Sequence, residues 1–166
     1  MRDRATPSGA HWLRVLQFPL VRLLLLGPVL FLLAGVSNGL WGVTFADRPL
    51  MAVGMALLMA LLGLAVYAAF VRIVEQRAVS ELALPKMGRE LALGLLILAT
   101  LGIYRTEGVN APALMLPALA MALSSGVFEE LLHRGTIFRN LEDMLGSWIA
   151  LLASALFFGF RHLGNA

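Results

Sequence analysis

Long apolar runs separated by short polar segments dominate the chain. No charged residue lies between Arg22 and Asp47 or between Arg48 and Arg72. About 20 apolar residues are needed to cross a bilayer core as a helix, so both runs predict transmembrane helices. The apolar pattern predicts five helices in all, over about 18–43, 50–71, 91–104, 111–128 and 147–162. We therefore expect an all-α fold, a polytopic integral membrane bundle of about five transmembrane helices.

The polar segments predict how the chain is arranged around the membrane. The first ten residues predict a short disordered tail, and residues 1–17 together form a polar tail and interface segment. The long polar stretch 72–90 predicts a loop at a membrane surface. Because Lys and Arg are enriched on the cytoplasmic side of membrane proteins, the basic residues of both segments predict a cytoplasmic N-terminus. We expect one membrane-embedded domain over residues 1–166.

The amino-acid composition excludes several classes of protein. Hydrophobic residues make up 60% of the chain and charged residues 14%, against about 25% charged residues in soluble domains. The net charge of +3 comes with basic residues that flank apolar spans, which predicts contact with membrane lipid and no nucleic-acid partner. The chain has no cysteine, which excludes disulfides, a thiol nucleophile and cysteine metal ligands.

A group of ionisable residues follows the fourth apolar stretch. Residues four apart share a helix face, so Glu129 lies on one face with His133, and Glu130 on another with Arg134. This spacing predicts a structural ion pair between Glu130 and Arg134 and leaves Glu129 available for chemistry. A cluster of charges at a helix end that makes only local salt bridges is the simpler alternative.

A second group lies at the end of the fifth helix, where Phe158 and His162 are four residues apart and the rings can stack. A turn is predicted at 145–147, which places Glu129 and His162 at similar distances from it along an antiparallel hairpin, provided the helix continues past Gly135. Packed helices lie 8–10 Å apart, so the two side chains can share one water. A buried carboxylate beside a histidine is suited to general base catalysis, which suggests hydrolysis within the membrane.

The pattern Glu-Glu-x-x-x-Arg at 129–134, followed by Phe-x-x-x-His at 158–162, resembles the CPBP family of CAAX prenyl proteases and bacteriocin-processing enzymes, also called Abi proteins. The resemblance covers about 81–166. It implies that Glu129 is the general base, that His162 positions the attacking water, and that Glu130 and Arg134 brace the site. It also implies a bacterial inner-membrane protein that cleaves a peptide or protein substrate at the membrane. Among the possible substrates, a leader peptide or a bacteriocin-like peptide is favoured over a prenylated tail.

The resemblance leaves the metal and the completeness of the site open. The family is often described as metalloproteases, so a divalent metal such as zinc on Glu129 and His162 is one option and a metal-free glutamate mechanism is the other. Catalytic zinc sites use three protein ligands, and the sequence has no His-Glu-x-x-His. Family members carry a third motif, a His followed four residues later by Asn or Asp. The sequence ends at Ala166, so we expect a site that lacks this oxyanion-stabilising motif.

Two other function classes fit the same residues. A non-catalytic membrane scaffold or immunity factor would keep the charged cluster for structure, and a proton-linked transporter would also place Glu and His at membrane depth. Ser124 and Ser125 beside Gly126 could suggest a serine nucleophile, although small residues at a helix contact explain them better. The resemblance gives His133 no role.

Overall fold

The computed structural model describes residues 9–44, 48–80 and 112–163, and within these ranges it contains helices and no β-strand. Two of the helical segments have π-helical hydrogen bonding, Val71–Glu75 and Glu130–Phe138; the second is called the π segment below. The α-helices are α1 (Gly9–Leu16), α2 (Pro19–Thr44), α3 (Pro49–Phe70), α4 (Pro112–Glu129), α5 (Arg139–Leu145) and α6 (Ser147–Leu163). The prediction of an all-α fold is confirmed.

Among the described residues, two helices are long and apolar enough to cross a membrane, Pro19–Leu40 and Leu50–Glu75. They correspond to the first two predicted spans, and much of their apolar surface, including Leu32 and Leu61, faces outward, as expected for helices surrounded by lipid. Helices α4 and α6 coincide with the fourth and fifth predicted helices, and α6 is a shorter apolar helix. The predicted helix 91–104 lies outside the described residues, so a bundle of five spans stays a prediction.

Two predicted boundaries are wrong by a few residues. The expected tail and interface segment already forms helix α1 from Gly9 onward. The expected loop 72–90 starts as helix, because α3 continues through the π-helical turn to Glu75 and ends at Gln76, whose φ is 53°. The carboxylate of Glu75 is buried and pairs with Arg77, which holds this polar end of the helix against the protein. Residues 76–79 are not helical, as predicted for a loop, and 81–90 lie outside the described residues.

The core forms where α2, α3 and the π segment meet. Its buried side chains are Leu26, Leu30, Tyr67, Val71, Leu131, Leu132 and Ile137. Two glycines allow close approach of aromatic rings: a Cβ atom at Gly63 would lie 2.7 Å from Cε1 of Phe128, and one at Gly135 would lie 2.9 Å from the hydroxyl oxygen of Tyr67. Small residues let membrane helices pack closely, and here they bring α3 against α4 and the π segment.

A buried arginine ties three elements together at one end of the bundle. Arg22, near the start of α2, is 9% exposed. Its Nη2 donates to Oδ2 of Asp143 in α5 at 2.6 Å, and its Nη1 lies 3.7 Å from Oε2 of Glu75. The guanidinium therefore connects the start of α2, the end of α3 and the helix that precedes the turn at Gly146.

Candidate active site

The candidate site lies on a helical hairpin. Its first arm runs from Pro112 to Leu145, α-helical at both ends and π-helical in the middle, and its second arm is α6. Gly146 separates the arms with a φ of 82°, a conformation that glycine adopts without a steric penalty. The predicted turn and the continuation of the helix past Gly135 are both observed, and α6 packs against α5 and the π segment.

The π segment begins directly after Glu129, and no pattern in the sequence predicts it. Its backbone polar groups also bond to side chains: Thr136 Oγ1 donates to the carbonyl of Leu131 at 2.8 Å, and Asn140 Nδ2 donates to the carbonyl of Thr136 at 2.7 Å. Thr136 and Asn140 are fully buried. π-Helical turns are rare and often occur at functional sites, and this one shapes the arm that carries both glutamates.

Glu129 and His162 come together across the hairpin. Oε1 of Glu129 lies 3.7 Å from Nε2 of His162, and the two side chains are 34% and 40% exposed. This separation is too long for a direct hydrogen bond and short enough for one water to bond to both atoms. The arrangement is the one that the hairpin spacing predicts.

A hydrogen bond to the backbone fixes the tautomer of His162. Its Nδ1 lies 2.9 Å from the carbonyl oxygen of Phe158. A carbonyl oxygen only accepts hydrogen bonds, so Nδ1 carries the hydrogen, and in the neutral ring Nε2 keeps its lone pair. That lone pair is on the side of the ring nearest Glu129, so two hydrogen-bond acceptors face each other across a gap that suits a donor such as water.

Phe158 lies between the imidazole rings of two histidines. Its ring centroid is 4.2 Å from that of His162, with 31° between the planes, and 4.9 Å from that of His133, in an edge-to-face contact at 76°. His133 also contacts Phe157, at 5.7 Å. The stacking of Phe158 on His162 follows from their spacing, whereas the contact with His133 crosses between helices and has no signal in the sequence.

The Glu130–Arg134 pair is present at the edge of the hairpin. Arg134 Nη1 lies 3.3 Å from Oε2 of Glu130, and their side chains are 64% and 54% exposed. Exposed ion pairs contribute little to stability, typically under about 1 kcal/mol. The geometry agrees with the predicted pair, and a role for these residues in bracing the site stays a prediction.

The described residues near Glu129 and His162 do not make a complete zinc site. Among the described residues, no group of three or more His, Cys, Asp or Glu side chains is arranged to hold a metal ion. Glu129 and His162 supply two donors, one fewer than catalytic zinc sites take from the protein.

Comparison with known proteins agrees with the sequence motifs. No curated protein and no solved structure shows significant similarity to the chain. Residues 111–166 match a family model described as Type II CAAX prenyl endopeptidase Rce1-like; this is a membrane-embedded protease family. The match includes both arms of the hairpin from near the start of α4. The resemblance predicted from the two motifs is thereby confirmed: this region is similar to Rce1-like CAAX prenyl endopeptidases, consistent with a CPBP family protease.

Proposed function

We propose that the protein is an intramembrane peptidase that hydrolyses a peptide or protein at the membrane, with Glu129 as general base and His162 as the residue that orients the attacking water. The observation that carries this proposal is the gap of 3.7 Å between Oε1 of Glu129 and Nε2 of His162. The match of residues 111–166 to a CAAX-type peptidase family supports the same reaction.

The water bonds to two acceptors of different strength. One of its hydrogens points to the carboxylate of Glu129 and the other to the lone pair of Nε2, which leaves an oxygen lone pair directed away from both. As that oxygen attacks the scissile carbonyl carbon, the O–H bond on the Glu129 side breaks and its proton passes to the carboxylate. The carbonyl π electrons move onto the carbonyl oxygen.

Collapse of the tetrahedral intermediate completes the reaction. Glu129, now a carboxylic acid, returns its proton to the amide nitrogen as the C–N bond breaks, so one residue serves first as base and then as acid. His162 keeps its Nδ1–H bonded to the carbonyl of Phe158 throughout, so the imidazole acts as a fixed acceptor for the water. Such fixed geometry is a large part of what enzymes contribute to rate.

The proposal also includes the location of the protein in the membrane and the class of its substrate. We place the protein in a bacterial inner membrane as a single domain of about five spans, with the N-terminus in the cytoplasm. The substrate is a peptide segment that reaches the hairpin from the membrane surface, and a leader or bacteriocin-like peptide fits better than a prenylated tail. Glu130 and Arg134 brace the arm that carries Glu129.

Cleavage by the purified protein tests the proposal. The wild-type chain, in detergent and in liposomes, is incubated with a library of quenched fluorescent peptides. We expect cleavage that is lost in Glu129→Gln and in His162→Gln. Glu142→Gln is the matched control: Glu142 belongs to the same arm but bonds to Ser147 near the turn, and this variant should cleave like the wild type. Unchanged cleavage in Glu129→Gln would remove Glu129 from the mechanism.

The same preparations distinguish the other two function classes. Proton flux across liposomes that depends on Glu129, without cleavage of any peptide, would indicate a transporter. An absence of both activities in a folded, helical preparation would favour a scaffold or immunity factor.

A further inference from the structure

The two arms of the hairpin present matched pairs of side chains. Glu129 and His133 are four residues apart on the first arm, and Phe158 and His162 are four apart on the second. Across the arms, Glu129 faces His162 and His133 faces Phe158. In each contact, the midpoint between the two residue numbers falls between Leu145 and Gly146. The two contacts are therefore successive contacts of one antiparallel helix pair.

His133 packs in this structure through the faces and edges of its ring. It contacts the rings of Phe157 and Phe158, and neither of its buried ring nitrogens has a hydrogen-bond partner among the described residues. Buried polar atoms normally have partners. The aromatic contacts, and not hydrogen bonds, therefore hold the imidazole of His133 in place.

Phe158 controls His162 in two ways. Its ring stacks on the imidazole of His162, which fixes the plane of that ring, and its carbonyl accepts the hydrogen of Nδ1, which fixes the tautomer. The carbonyl belongs to the backbone of α6 and stays in place when the ring of Phe158 moves, so loss of the stacking would let the imidazole of His162 rotate away from that carbonyl. The direction of Nε2 and the bond that selects the tautomer would then both be lost.

We propose that His133 is a positioning residue, which holds Phe158 and through it keeps His162 in the orientation and tautomer that face Glu129. The proposal rests on the proposed function for its catalytic consequence, and its structural part can be measured without any substrate. His133 does not touch the attacking water and donates no proton in this role. An aromatic ring of similar size should therefore replace it, whereas a side chain without a ring should not.

The test compares His133→Phe with His133→Ala, and His133→Leu takes the place of the alanine variant if that variant does not fold. The first readout is nitrogen NMR of the full chain in detergent, labelled at histidine. The chain has 3 histidines, so His162 can be assigned from a His162→Gln spectrum. The second readout is kcat and KM for peptide cleavage.

We expect the wild type and His133→Phe to show a single neutral tautomer of His162 with hydrogen on Nδ1, and His133→Ala to show a mixture. We expect His133→Ala to lower kcat by about 10- to 100-fold, as displaced catalytic groups do, with KM nearly unchanged and with recovery in His133→Phe.

Two results would overturn the positioning role. One is an unchanged tautomer of His162 in both His133→Ala and His133→Leu. The other is a His133→Phe variant as impaired in kcat as His133→Ala, which would mean that the ring nitrogens themselves are needed. A tautomer that depends on a ring at position 133 would support the positioning role even if no variant cleaves a peptide, and the failure would then belong to the proposed function alone.

Discussion

The two nitrogens of the His162 imidazole have different neighbours: Nδ1 bonds to the carbonyl oxygen of Phe158 at 2.9 Å, and Nε2 lies 3.7 Å from Oε1 of Glu129. The first contact is within one helical turn and the second joins the two arms of the hairpin. The hairpin thereby turns two residues that are distant in sequence into a pair that can act on one water.

A cross-link should report the approach of the two arms. The chain has no cysteine, so Glu129→Cys/His162→Cys introduces the only two thiols. We expect rapid intramolecular cross-linking by a short bismaleimide, because the two side chains meet across the hairpin. Glu129→Cys/Phe160→Cys is the control, since Phe160 is largely exposed and lies on another face of α6. Equal cross-linking of the two pairs would contradict the hairpin geometry.

The glycine contacts should be sensitive to a single methyl group. A Cβ atom at Gly63 meets Phe128, and one at Gly135 meets Tyr67, while one at Gly54 meets nothing within 4 Å. We expect Gly63→Ala and Gly135→Ala each to lower the free energy of unfolding by about 1–3 kcal/mol through overpacking, and Gly54→Ala to have little effect. Denaturation in mixed micelles measures this difference, and three equal values would refute close packing at these glycines.

Loss of Arg22 should destabilise the bundle more than loss of its exposed partner. Arg22→Met leaves the buried carboxylate of Glu75 with one partner fewer, and breaking a buried ion pair costs about 3 kcal/mol or more. Asp143 is 43% exposed on its side chain, so Asp143→Asn should cost about 1 kcal/mol or less. The same unfolding measurement compares the two variants, and the reverse order would show that the buried contact with Glu75 is not the stabilising one.

Ser124 should be dispensable for catalysis. It is fully buried, and its hydroxyl lies 3.3 Å from that of Ser37 in α2, so it joins two helices and cannot reach a substrate. We expect Ser124→Ala to cleave peptides at the wild-type rate and to lose about 0.6 kcal/mol of stability, the average for such contacts in a membrane protein. Loss of cleavage in a folded Ser124→Ala variant would revive the serine nucleophile hypothesis.

The hairpin could be predicted from the sequence because two continuous helical arms joined by one glycine turn bring together residues at similar distances from that turn. Glu129 lies 17 residues before Gly146 and His162 lies 16 residues after it, and these similar distances bring the two residues to a similar level. The i, i+4 spacing likewise predicts the stacking of Phe158 on His162 and the pairing of Glu130 with Arg134. Each of these relationships depends only on the spacing of residues along one helix or on their distances from one turn. Both quantities are available from the sequence.

Other parts of the site depend on contacts that no local pattern encodes. The contact of Arg22 with Asp143 joins residues from opposite ends of the chain, and the contact of His133 with Phe158 requires the relative rotation of two helices. Tertiary packing determines each of them, so spacing alone does not predict them.

A double-mutant cycle tests most directly whether Glu129 and His162 act together on one water. The values of kcat/KM are measured for the wild type, Glu129→Gln, His162→Gln and the double variant with one cleavable peptide. General base catalysis contributes about 10²- to 10⁴-fold, and residues that act as a unit have non-additive effects. We predict a double variant no slower than the slower single variant. A double variant whose loss equals the product of the two single losses would contradict the account, because it would show that the two side chains act independently.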